Sequence, residues 1–99
     1  MAVVMVGYPA ADGARFDREY YVATHLPLVR RVLAPHGLVG ADAYFPDDDV
    51  APTLAVAVLR FRDAAARDAA LGHADAGEAF ADVPNFTDAQ PTATRMSAG

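Results

Sequence analysis

Ten consecutive residues, Thr53 to Arg62 (TLAVAVLRFR), read as a β-strand that is apolar on both faces. Side chains alternate along a strand, so Leu54, Val56 and Val58 share one face while Ala55, Ala57, Leu59 and Phe61 share the other. Such a strand needs cover on both sides. A second run, Ala2 to Tyr8, is Val-rich, apolar on both faces and closed by GYPAADG. A chain of 99 residues supports one core, so residues 1–99 are expected to form a single domain.

The rest of the chain supplies the other elements. Asp17 is a helix N-cap ahead of REYYVAT, and Pro27 interrupts that helix, predicting a kink or a restart. Beyond it, Leu28, Val29, Val32 and Leu33 form an apolar stripe that ends at APHG. LVGADAYFP reads as a strand, DDDVAP as a turn, and DAAARDAALGHADAGEAFADV as a helix capped by Asp63, with breaks expected near Gly72 and Gly77. PNFTDAQP is a loop and TATRMS a last strand.

The order strand, helix, strand, strand, helix, strand is that of the α+β, ferredoxin-like βαββαβ arrangement, a four-stranded antiparallel sheet with its helices on one face. The other face of the sheet would then lie in water. A second copy packed sheet to sheet removes that apolar surface at roughly 25 cal/mol per Å², so a homodimer through sheet faces is expected.

Composition narrows the function classes. At 54% hydrophobic and 21% charged the chain should fold. Its net charge of -5 and its longest basic run, Arg30-Arg31, argue against nucleic acid as a partner. Zero cysteines remove disulfides, thiolate nucleophiles and sulfur-ligated metals. The N-terminal apolar run lacks a basic flank and ends at Gly7, too short for a signal sequence or a membrane span, so a cytoplasmic protein without a membrane partner is expected.

Asp17, Tyr21 and His25 are spaced by four, which on a continuous helix brings a carboxylate, a phenol and an imidazole to one side. That set suits acid-base chemistry near neutral pH. The alternative is structural: Asp17 caps, Tyr21 packs, and His25 bonds the backbone ahead of Pro27. Tyr20 points about 100° away from Tyr21, so only one of the two faces the sheet squarely. His36 reads as a helix-end residue and His73 as part of an exposed turn; without a shared local spacing the three histidines predict no metal site. Asp47 to Asp49 read as a solvated turn, lacking the alternation of a calcium loop. No phosphate cradle, nucleophile elbow or dinucleotide fingerprint occurs, so no cofactor is expected. Tyr8, Phe16, Phe80 and Phe86 line an apolar pocket or pack in the core.

ARFDREYYVATHLPLVRRVLAPHGL and FADVPNFTDAQPTATRMS together resemble the EthD family of the dimeric α+β barrel superfamily, in which FD..YY...H.PLV and D.PN(Y/F)T...P recur in order. The resemblance implies ferredoxin-like subunits paired through their sheets. It implies less about activity: the family carries a "reductase" label without a defined reaction, and includes relatives that look like dehydratases or cyclases of aromatic polyketides. Its motifs fall on Phe16, Asp17, Tyr20, Tyr21, His25, Pro27 and Leu28, then on Asp82, Pro84, Asn85, Phe86, Thr87 and Pro91. Phe86 stands where many relatives have tyrosine, which argues against a catalytic hydroxyl there.

Two functions are carried forward. In the first, a cofactor-independent enzyme acts on a small hydrophobic carbonyl or phenolic compound, with His25, Tyr21 and Tyr20 catalytic and Asp17, Phe16, Tyr8, Leu28, Asn85 and Phe86 contacting substrate. In the second, the same pocket holds a hydrophobic metabolite without turning it over. A reductase would need an electron donor, for which the sequence shows no binding motif.

Overall fold

The computed structural model describes residues 2–11, 13–48 and 51–97. Met1, Asp12, Asp49 and Val50 lie outside them, as do Ala98 and Gly99, so the Asp47–Asp49 turn and the C-terminal SAG are not described in full. The elements run β1 (Ala2–Pro9), α1 (Arg18–Tyr20), a π-helical turn (Tyr21–His25), α2 (Leu26–Leu33), a 3-10 turn (Ala34–His36), β2 (Leu38–Tyr44), β3 (Thr53–Phe61), α3 (Ala64–Leu71), α4 (Ala74–Ala81), a 3-10 turn (Val83–Asn85) and β4 (Thr92–Ser97). The four strands form one antiparallel sheet in the order β2-β3-β1-β4. This is the ferredoxin-like α+β arrangement expected from the element order.

The two-faced strands sort their side chains as the alternation demands. Val4 and Tyr8 of β1 and Ala55, Ala57, Leu59 and Phe61 of β3 are buried against Leu26, Val29 and Leu33 of α2, Ala70 of α3 and Ala76 of α4. On the opposite face the register lines up Met96, Val3 and Arg60 in one row, and Thr94, Met5, Val58 and Asp42 in the next. Val3, Met5, Val56 and Val58 are half-buried and stay outside the core. Arg60 crosses that face to pair with Asp42. Gly40 makes room for it, because a Cβ there would overlap the Arg60 guanidinium.

Of the kink or restart expected at Pro27, the first helix takes the restart, as α2, by a route that local sterics did not specify. Rather than breaking at Pro27, it widens: the Leu26 amide bonds the carbonyl of Tyr21, five residues back, and Pro27 follows in the first turn of α2. Pro27 lacks the amide for an α-type bond and its ring crowds the carbonyl four residues earlier, a conflict a π-turn relieves without ending the helix. Gly37, at φ 95°, then takes the left-handed position that closes the 3-10 turn.

The long second helix does break at Gly72, where α3 ends and α4 starts on a His73 cap. Gly77, by contrast, lies inside α4 without interrupting it. The PNFTDAQP segment is more ordered than a plain loop. It opens with the 3-10 turn and is pinned by Thr87, whose hydroxyl donates to the Arg15 carbonyl at 2.6 Å beside the Phe16–Thr87 bridge. The Asp17 amide bonds the Phe86 carbonyl at 2.8 Å, which seats the start of the first helix on the 82–88 segment.

Candidate active site

That seam brings the two sequence motifs together around one carboxylate, Asp82, at the C-terminal end of α4. Its Oδ1 accepts from the Tyr20 hydroxyl at 2.8 Å and from Asn85 Nδ2 at 2.9 Å, and its Oδ2 lies 3.0 Å from His25 Nδ1. The π-turn makes the double engagement possible. In an α-helix residues five apart point about 140° away from each other, whereas a turn closed by an i→i+5 bond brings them to within about 50°, on one face of the helix. Tyr20 and His25 are five apart and reach the same side chain.

Electrostatics follows from this arrangement. Burial pushes the Asp82 carboxyl up, but the hydrogen bonds from Asn85, His25 and Tyr20 outweigh it and hold the group below the usual carboxylate range. Asp82 is therefore an anion that can only accept, so the proton of a neutral His25 sits on Nδ1 and leaves Nε2 with a lone pair. His25, 4% exposed, is lowered from 6.5 because desolvation outweighs the charge of Asp82. It is neutral at pH 7. The Tyr20 hydroxyl is raised, first by the bond it gives to Asp82.

The imidazole stacks on Tyr21 with ring centroids 5.1 Å apart and meets the fully buried Phe86 at 4.5 Å. Beyond it an almost wholly apolar cavity of about 50 Å³ opens between helices and sheet, bordered by Tyr8, Tyr21, His25, Val29, Leu59 and Phe80 among others. Burial, with the Tyr21 phenol beside it, holds the Tyr8 hydroxyl far above its usual range, and burial likewise raises Tyr21. Both phenols are neutral hydrogen-bonding groups in an apolar wall.

The residues singled out from the sequence thus fall into three sets. Tyr8, Tyr21 and His25 border the cavity; Tyr20 and Asn85 reach His25 only through Asp82; Phe16 and Phe86 belong to the aromatic cluster around Tyr8 and Tyr21. Asp17 does not join them. Its carboxylate caps the helix by accepting from the Tyr20 amide at 3.0 Å, and the π-turn carries the later residues out of the straight i, i+4 register assumed for it. Leu28 packs partly buried at the edge of the core and does not border the cavity. The missed partner is Asp82, which stands in the second motif but has no local signal linking it to His25 across 57 positions.

The remaining histidines also correct the sequence reading. His36 and His73, expected to be unrelated, lie with ring centroids 4.2 Å apart because α4 starts beside the turn that ends α2. Among the described residues no helix is long and apolar enough to cross a membrane.

No family model matches the chain, and no curated protein matches it. Solved structures do. An EthD-like protein from Ralstonia eutropha JMP134 is similar with a TM-score of 0.79 and 27% identity over 96% of this chain and 88% of that one. An ethyl tert-butyl ether D (EthD) family protein from Bacillus halodurans C-125 follows at 0.67 and 15%, covering 98% and 99%. A dimeric ferredoxin-like protein of unknown function from Jannaschia sp. CCS1 aligns at 0.66 and 14%, over 98% of each chain. At these last two identities the likeness is one of fold. In its paired motifs, its strand order and its similarity to the Ralstonia protein, the chain resembles EthD-like proteins.

Proposed function

We propose that this chain performs cofactor-independent acid-base chemistry on a small hydrophobic carbonyl or phenolic compound, of the kind needed for dehydration, cyclisation or degradation. The observation that carries the reading is the buried His25, tied through Nδ1 to Asp82 while its ring borders an apolar cavity. In this reading Nε2 removes a proton from the substrate and returns it later, and Asp82 holds the tautomer and steadies the imidazolium formed in between. Tyr21 and Tyr8 orient the substrate's oxygen, Phe86 backs the imidazole, and Tyr20 and Asn85 position Asp82. A cavity of about 50 Å³ takes only a very small molecule as it stands, so a larger substrate enters by displacing Phe80, half-exposed at its rim.

The same reading makes the working unit a homodimer, as the ferredoxin-like protein from Jannaschia is dimeric. The half-buried Val3, Met5, Val56 and Val58 are the surface such pairing would cover. The test of the chemistry is His25→Gln, assayed on small aromatic and enolisable carbonyl compounds, with folding followed by circular dichroism. A loss of about 10²- to 10⁴-fold in kcat/KM in a folded variant is expected; undiminished turnover would sink the role of His25.

The almost wholly apolar lining favours one second reading, a carrier that binds a hydrophobic metabolite and does not change it. A ligand that raises the melting temperature but is recovered intact supports the carrier, since binding only the folded state must stabilise it.

A further inference from the structure

We propose that His36, His73 and Asp75 form a surface site for a divalent transition-metal ion of the zinc, nickel or copper type. The three come from two separate elements, the 3-10 turn after α2 and the first turn of α4 with its cap. Each offers one ligand atom, and these atoms lie within 4.8 Å of one another. His36 Nε2 is 2.8 Å from Asp75 Oδ2, and His73 Nδ1 is 3.5 Å from the same oxygen. In a tetrahedral site with metal–ligand distances of about 2.0–2.2 Å, ligand atoms stand roughly 3.3 Å apart. The two separations from Asp75 Oδ2 bracket that value and the two imidazole nitrogens lie within 4.8 Å of each other, so side-chain rotations can close the set.

An ion pair between His36 and Asp75 accounts for two of the three groups. The cap that His73 gives the Asp75 amide accounts for the direction of its Nδ1, but neither contact accounts for the packing of its ring against His36, with centroids 4.2 Å apart. Two imidazoles and one carboxylate converging from separate elements suit a borderline cation, whereas magnesium and calcium prefer all-oxygen sets. The metal takes the place of the proton between His36 and Asp75. A neutral His36 moves that proton to Nδ1, and an imidazolium releases one proton to solvent. His73 Nδ1 now accepts from the Asp75 amide at 3.0 Å. That amide lies in an exposed first turn, where water replaces the lost acceptor. Three protein ligands leave a position for water or an exogenous donor.

The consequence for the fold is a clamp. Leu33 on one side and Ala76 on the other both border the apolar cavity, so an ion at this site ties the end of α2 to the start of α4 and stiffens that wall. The inference stands apart from the chemistry proposed for His25.

The experiment is titration of the full chain with zinc chloride in a non-chelating buffer, read by calorimetry, melting temperature and histidine ring NMR. One ion per chain is expected, with a raised melting temperature and with the ring signals of His36 and His73 shifting while those of His25 stay. His36→Gln and His73→Asn should each weaken binding at least about tenfold; Asn keeps the cap of α4. No saturable binding up to millimolar zinc, ring shifts confined to His25, or full affinity in the double variant would each overturn the assignment.

Discussion

A neutral imidazole buried beside a carboxylate titrates under two opposed influences, and in His25 desolvation prevails over Asp82. Removing the charge should therefore lower the His25 pKa further. In Asp82→Asn we expect the NMR titration of the His25 ring to move to lower pH than in the unaltered chain; a shift to higher pH would show that Asp82 does not favour the imidazolium. The sign also sets the stability profile. His25 and Asp82 both have folded-state values below their ordinary ones, so the unfolded chain binds protons first as pH falls. Their contribution is complete above the ordinary values, and the histidine part begins to be lost below about pH 6.5. Melting temperatures measured between pH 8 and pH 5 should fall with acidification, and the fall should be shallower in His25→Gln. An equal slope in that variant would place the titrating group elsewhere. Phe86, fully buried and in contact with Tyr8, Phe16, Tyr20, Tyr21 and His25, should cost about 3–5 kcal/mol on truncation to Ala, as chemical denaturation can measure.

At the scale of elements, the decisive object is the π-turn ahead of Pro27. It places Tyr20 and His25 on one carboxylate, a geometry an α-helical register would separate. Pro27→Ala restores the missing amide and removes the crowding that favours the wider turn. The segment should then relax towards α, and the coupling between His25 and Asp82 should weaken. Its measure is the change in His25 pKa caused by Asp82→Asn, compared between chains that keep Pro27 and chains that also carry Pro27→Ala. An unchanged difference would mean that packing against the sheet, not the proline, holds the turn open. The proline rule foretold a disturbance at this point because it depends only on local sterics. It did not foretell the form, since a kink and a π-turn both satisfy those sterics and the choice rests on what Tyr20, Tyr21 and His25 find across the interface.

For the whole molecule, the question is what covers the second face of the sheet. Met5 and Val58 lie opposite each other in the register of β1 and β3, on the face away from the helices. A charge there meets water in a monomer but is buried in a sheet-to-sheet dimer. Val58→Asp should therefore leave the subunit fold intact by circular dichroism and shift sedimentation from dimer to monomer at micromolar concentration. An unaltered chain that sediments as a monomer, or a dimer that survives Val58→Asp, would overturn the proposed sheet-to-sheet pairing.

The strand pattern, the helix caps at Asp17 and Asp63, and the order of elements were open to reading from the chain itself. Each rests on side-chain periodicity or on hydrogen bonds between near neighbours. His25 and the two tyrosines also stood out, because they interrupt a helix face that packing alone could fill with aliphatic residues. What the sequence could not disclose is pairing at a distance. Asp82 is 57 positions from His25, and His73 is remote from His36; nothing in local spacing links either pair. Only the docking of α4 beside the first helix, and the seam between residues 15–17 and 84–88, bring those groups within hydrogen-bonding reach. Local chemistry chose the elements; the packing of one against another decided which titratable groups share an environment, and so where the candidate site lies.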